Sequence, residues 1–143
     1  EFLDETIFQI MGIYPELCDN NMFGLLINIE YPFLNPNDLD SALNSLEVFK
    51  TDLVIGVRKE TRNIYKHGGH GLENITSKVN FTNEKNEIYI SGGLQAFRFS
   101  ALNNLGSLNK IDLVGHVILD EKSFYHIYSQ FSFQLLKNME SDK

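Results

Sequence analysis

Tryptophan is absent from the 143 residues, proline occurs three times and cysteine once. A single thiol, Cys18, excludes an intrachain disulfide and a cysteine-built zinc site, and it fits a reducing compartment. Apolar runs stay short of the roughly 20 residues that a membrane-spanning helix needs. No secretory leader is recognised, so no membrane partner and a cytoplasmic location are expected. Positive charge is scarce as well: 12 Lys and Arg stand against 19 Asp and Glu, a formal net charge of −7. The basic residues are scattered, which excludes nucleic-acid binding by broad phosphate neutralisation. A single nucleotide remains possible, because it needs only a few local donors. What is present is an ordinary globular mixture, 43% hydrophobic and 22% charged. That is enough for one core, so residues 1–143 are read as a single domain. The chain begins at Glu1 without Met, and we expect a piece of a longer product.

The hydrophobic pattern predicts alternating helices and strands. In "FLDETIFQIMGIYPEL" the residues Leu3, Ile7, Ile10, Met11 and Tyr14 share one helical face. Asp4 and Glu5 suit the positive end of its dipole. "MFGLLINIE", Met22 to Glu30, is a short apolar run and reads as a buried strand of a mainly parallel sheet. Asn35 then caps a helix with Pro36 at its first position. Leu39, Ala42, Leu43 and Leu46 form its inward stripe. "DLVIGV", Asp52 to Val57, is a second buried strand, and the strand–helix–strand unit predicts a right-handed crossover. "EIYISGGLQAFRF" is strand-like around two glycines, "SALNNL" is a short helix, and "KIDLVGHVILD" is a further strand. "SQFSFQLLKNM" closes as a helix with Phe131, Leu135 and Met139 inward. The fold class is therefore α/β, a three-layer sandwich with a mixed, mainly parallel sheet. The polar region 58–90 is long for a compact domain and is expected to be functional or to contain a projecting hairpin.

Ligands of such sheets bind at the carboxyl ends of the strands. That rule selects Asn28 and Glu30, the segment from Arg58 onward, and the Gly92-Gly93 bend. Asn28 and Glu30 offer an amide and a carboxylate, although Pro32 and Asn35 could simply be shaping a turn. In "YKHGGHG", Lys66, His67 and His70 sit among glycines, where cations and backbone N–H groups can hold a phosphate or carboxylate. The plain alternative is a solvated loop. Gly92 and Gly93 within strand pattern imply a bulge or a close approach of a ligand to the backbone. Gln95 and Arg98, three residues apart, belong on opposite faces. Asp120 and Glu121 end a strand together, as a magnesium site or as a solvated turn.

In serial order these segments resemble the acylneuraminate cytidylyltransferase family. "LLINIEYPFLNPNDLDSAL" is similar to the family's LLQPTSPLR and the acidic helix start after it. "TDLVIGVRKE" resembles the next strand. "NEIYISGGLQAFRFSAL" resembles the N-G-(A/G)-hydrophobic-Y strand, and "KIDLVGHVILDEKSFYHIYSQFSFQLL" the closing acidic segment. The resemblance implies the carboxyl-terminal part of a domain that transfers CMP from CTP to an acidic sugar and releases pyrophosphate. By resemblance, Asn28 takes the place of a sugar-contacting Gln, and Glu30 and Tyr31 replace a Thr-Ser pair. Gly92 and Gly93 fall at the Asn-Gly pair. Together with His67, His70 and Gln95 these are the expected substrate-binding residues. CTP and a sugar acid are the expected partners, with Mg2+ as the implied cofactor and a homo-oligomer built through region 58–90. The departures matter. Tyr128 stands at a metal-binding Asp and Ser132 at a later Asp, and the family's Arg/Gly/Lys nucleotide loop has no equivalent here. Inactivity of the chain alone is therefore expected. The alternative is a degenerate, non-catalytic domain that binds a sugar acid or serves oligomerisation.

Overall fold

A computed structural model describes residues 2–19, 22–76 and 87–141. Helix α1 (Phe2–Ile13) precedes a 3-10 turn and strand β1 (Phe23–Ile27). Helix α2 (Pro36–Phe49) and strand β2 (Leu53–Lys59) follow. A small hairpin, β3 (Tyr65–His67) and β4 (Leu72–Asn74), separates β2 from the long strand β5 (Tyr89–Arg98). Helix α3 (Phe99–Leu105), strand β6 (Val114–Ile118) and helix α4 (Gln130–Ser141) complete the order. The hairpin lies within region 58–90; residues 77–86 lie outside the described residues.

The main sheet has four strands in the order β1-β5-β2-β6. β5 runs antiparallel to β1 and to β2, and β2 pairs parallel with β6. Three strands thus share one direction, although two of the three pairings are antiparallel, and β1 is an edge strand with Ile27 exposed rather than the buried strand expected. The expected adjacency of β1 and β2 does not occur, because β5 is inserted between them. That insertion is a long-range pairing, and periodicity within β1 and β2 carries no trace of it.

Helices cover both faces, which makes the three layers. On one face Ala42 and Leu46 of α2 pack on Val54, Leu94, Ala96, Leu119 and Phe124. On the other, Ile7 and Met11 of α1 and Leu102 of α3 pack on Leu53 and Phe97. Leu46, Leu94 and Leu102 are fully buried, and burial of such a side chain stabilises by about 1.5–3 kcal/mol each. Of the predicted α1 stripe, Leu3, Ile10 and Tyr14 stay exposed. In α4 the expected inward stripe fails. Phe131 and Leu135 are exposed and Ser132 is the buried residue, while the Met139 side chain lies outside the described set.

Helix α2 starts as its sequence demands. The Asn35 side chain accepts from the amides of Asn37 and Asp38, and the Asp38 carboxylate accepts from the Asn35 amide at 3.0 Å, with Pro36 in the first turn. Its far end is closed by Arg98, which donates to the carbonyls of Leu46 (3.0 Å) and Thr51 (3.1 Å). Arg98 is thereby placed on the α2 face, whereas Gln95 lies against α1 near Leu3. The opposite-face expectation for these two residues holds.

Candidate functional site

The carboxyl ends of β1, β2 and β6 form one rim of the sheet, and the amino end of β5 threads between them. Directly after β1 the chain turns. The Asn28 amide donates to the Gly93 carbonyl at 2.8 Å, and the Tyr31 amide donates back to the Asn28 carbonyl. The Asn28 side-chain oxygen accepts from the Glu30 amide at 2.9 Å, an Asx-turn that aims Glu30 away from the strand. Glu30 then meets His126, Oε2 to Nε2 at 3.0 Å, and accepts from Asn28 Nδ2 at 3.3 Å. The His126 bond, then the Asn28 bond, hold the Glu30 carboxyl below its ordinary pKa. Its carbonyl also accepts from the Ile127 amide, which ties the loop after β6 to the turn after β1.

Gly92 and Gly93 create the room for this arrangement. The register between β2 and β5 shifts beside them, as a bulge requires. A Cβ on Gly93 would come within 2.3 Å of the Tyr31 ring, and one on Gly92 within 3.1 Å of Phe124 and 2.9 Å of Leu119. The bulge predicted for the glycines exists, and the space beside them is taken by side chains of this chain, Tyr31 and Phe124. Tyr31 stacks on His126 with ring centroids 4.7 Å apart and meets Phe124 edge-on at 5.9 Å. Burial, reinforced by Glu30, pushes the Tyr31 phenol above its ordinary pKa. Arg58, from β2, lies over the Phe124 ring at 4.6 Å.

Two openings flank this cluster. One, of about 350 Å³, is lined by Asn28, Gly92, Gly93 and Gln95 with Leu3, Leu26 and Ile27. Four of the expected substrate-binding residues are thus brought together. The other, also about 350 Å³, is lined by Arg58, Arg62, Glu121, Phe124, Tyr125, His126 and Tyr128. Glu30 links their walls, bonded to Asn28 of the first and to His126 of the second. His67 and His70 belong elsewhere: they sit exposed on the β3–β4 hairpin, a separate two-stranded sheet. His67 accepts from the Gly69 amide. Among the described residues neither histidine hydrogen-bonds or stacks with the rim cluster. The sequence reading missed Phe124 and His126. Strand-end logic had reached Arg58, but the aromatic pair arrives from a loop far away in the chain.

The implied magnesium can be tested against the donors. Ser129 caps α4, its hydroxyl accepting from the Ser132 amide at 3.2 Å, and Ser132 answers by accepting from the Ser129 amide at 3.0 Å and donating to the Ser129 carbonyl at 2.8 Å. Tyr128 is an exposed phenol beside His126. Asp120 accepts the Ser123 amide at 2.6 Å, the leading cause of its lowered pKa. Ser123 itself is buried, donates to Asp38 at 2.7 Å and accepts from Asn35. Asp120 thus closes a turn that is latched to the start of α2. Among the described residues no three His, Cys, Asp or Glu side chains converge as metal ligands. These side chains do not fit a magnesium site.

Comparison with known proteins gives the fold its place. The chain is similar to 4-diphosphocytidyl-2C-methyl-D-erythritol synthase from Anaerococcus prevotii, with a TM-score of 0.60 and 18% identity over 92% of this chain and 65% of that one. It is also similar to 2-C-methyl-D-erythritol 4-phosphate cytidylyltransferase from Thermus thermophilus, with a TM-score of 0.55 and 10% identity over 83% of this chain and 62% of that one. The fold is shared with these two solved structures. At these identities the likeness concerns fold alone, and the chain spans less than two thirds of the length of either protein. No family model and no curated protein matches it. The expected α/β class with a mixed sheet is thus matched by solved structures. The acylneuraminate family and its acidic sugar find no counterpart among these neighbours.

Proposed function

We propose that this chain is the acceptor-side portion of a cytidylyltransferase-like protein, binding a nucleotide and an acidic sugar without turning over CTP on its own. The observation that carries the reading is the cleft of Asn28, Gly92, Gly93 and Gln95 at the carboxyl rim of a nucleotidyltransferase-type sheet. Open α/β sheets place their ligands at that rim. Backbone groups at a bulge, an amide from Asn28 and another from Gln95 suit a neutral, hydroxyl-rich or base-bearing ligand. Nothing in this donor set neutralises a triphosphate, which supports binding without transfer. The 58–90 region remains the proposed dimer element.

The test is a CTP and CMP titration followed by NMR, with a pyrophosphate-release assay on the same sample. Shifts at Asn28 and Gln95 without pyrophosphate, in the presence of N-acetylneuraminate, are the expected result. Pyrophosphate release by this chain alone overturns it. The use of Ser132 as the reciprocal partner of the Ser129 cap favours the second reading, a degenerate, non-catalytic domain for sugar-acid binding or oligomerisation. Tyr128→Asp in a longer product separates the two: new magnesium-dependent turnover marks a decayed enzyme.

A further inference from the structure

We infer that the second opening, between Arg58, Arg62, Phe124, His126 and Tyr128, is an anion subsite. It would take the carboxylate or phosphate ester of the acceptor whose other end lies in the neighbouring cleft. This inference rests on the binding function proposed above and adds where the charged group goes.

The argument begins with Arg58. Its guanidinium lies over Phe124 at 4.6 Å. Among the described residues it makes no ion pair or hydrogen bond. A guanidinium held over a ring keeps its N–H fork available to meet a planar or tetrahedral anion bidentately. Phe124 is buried and held against Gly92, so the arginine rests on a fixed platform.

Arg62 contributes differently. It grips Glu60 in a two-pronged bond, Nε to Oε1 at 2.9 Å and Nη2 to Oε2 at 2.7 Å, while its own side chain stays largely exposed. Glu60 is buried beneath it. That pair orients Arg62 at the mouth and leaves little net charge there. His126 adds an imidazole already bonded to Glu30, and Tyr128 adds an exposed hydroxyl beside it. Glu121 is the one carboxylate that lines the opening directly. It opposes a second negative charge, so the subsite favours a singly charged group over a dianion.

A short hydrogen-bond chain links the walls of the two openings. Asn28 lines the first, donates to Glu30, and Glu30 meets His126 of the second. A ligand long enough to reach both openings would touch both ends of that hydrogen-bond chain.

The experiment titrates the 143-residue chain with inorganic phosphate and, separately, with N-acetylneuraminate, reading the His126 ring resonances. Saturable His126 shifts are expected with at least one probe. Arg58→Gln should weaken binding about tenfold, the order expected for a lost charge-assisted hydrogen bond. Arg58→Lys should keep part of the affinity and controls for folding. Glu121→Gln should tighten binding about threefold, since a like charge is removed from a solvated rim. Phosphate binding alone identifies a phosphate ester, and sugar-acid binding alone a carboxylate; either supports the subsite. Equal affinities in wild type, Arg58→Gln and Glu121→Gln overturn it. If CMP still shifts Asn28 and Gln95 in that case, the subsite falls and the nucleotide reading stands. Anion binding without any CMP response does the opposite: the subsite stands and the nucleotide reading falls.

Discussion

Two glycine pairs occupy this molecule, and they do opposite things. Gly68-Gly69 turns the β3–β4 hairpin, where Gly69 has φ +85° and a Cβ there would meet nothing within 4 Å. Gly92-Gly93 lies in β5 with no positive φ, yet a Cβ on either would strike a packed side chain. The hairpin needs Gly69 for its backbone conformation and Gly68 to clear the Glu73 side chain; the strand needs both of its glycines for the space around them alone. The first use leaves the loop in water. The second lets Tyr31 and Phe124 pack closely onto the sheet beside the site.

Perturbations can sharpen that contrast. Phe124→Ala should have the largest effect, about 3 kcal/mol, because a buried ring leaves a cavity above Gly92; a denaturant midpoint measures it. Gly93→Ala comes next at about 2 kcal/mol through overpacking against Tyr31. In a Tyr31→Ala background that penalty should largely vanish, and an undiminished one would mean that backbone conformation is the cause after all. Gly69→Ala should cost about 1 kcal/mol for left-handed strain, appearing as lost amide protection in the hairpin with little change in global unfolding. The smallest effect is a titration. Glu60 has its pKa lowered to about 2, chiefly by the Arg62 side-chain bonds. Its folded value lies below the unfolded one, so its contribution is complete above the ordinary carboxylate range and fades as pH falls toward 2. Glu60→Gln should flatten stability against pH across that interval and leave neutral-pH ligand binding at Asn28 unchanged.

These particulars show what a sequence can reveal. The α2 cap was legible because Asn35, Pro36 and Asp38 act locally, within one turn. The bulge was legible because paired glycines in a strand pattern have few other uses. Insertion of β5 between β1 and β2 was hidden, since strand order depends on contacts far apart in the chain. The α4 stripe misled for the complementary reason. Phe131 and Leu135 have helical spacing, and spacing alone does not supply a surface to pack on. Half of the candidate site was visible through strand-end logic at Asn28, Gly92, Gly93 and Gln95. His67 and His70 looked equivalent in composition, but their hairpin forms its own sheet. Arg58 needed Phe124 beneath it to become interesting, and no local motif announces that meeting.

The Ser123 latch carries a consequence for timing. Segment 120–128, which supplies Phe124, His126 and Tyr128, is fastened to the start of α2 through Ser123, Asp38 and Asn35. It is also tied to the β1 turn through Ile127 and Glu30. A wall held at both ends does not swing as a lid. Ligand arrival should then be a single-step encounter, with an observed rate that climbs linearly with concentration and shows no plateau from a slow opening. Ser123→Ala frees one fastening, and stopped-flow traces of that variant should be the first to show a second, concentration-independent phase.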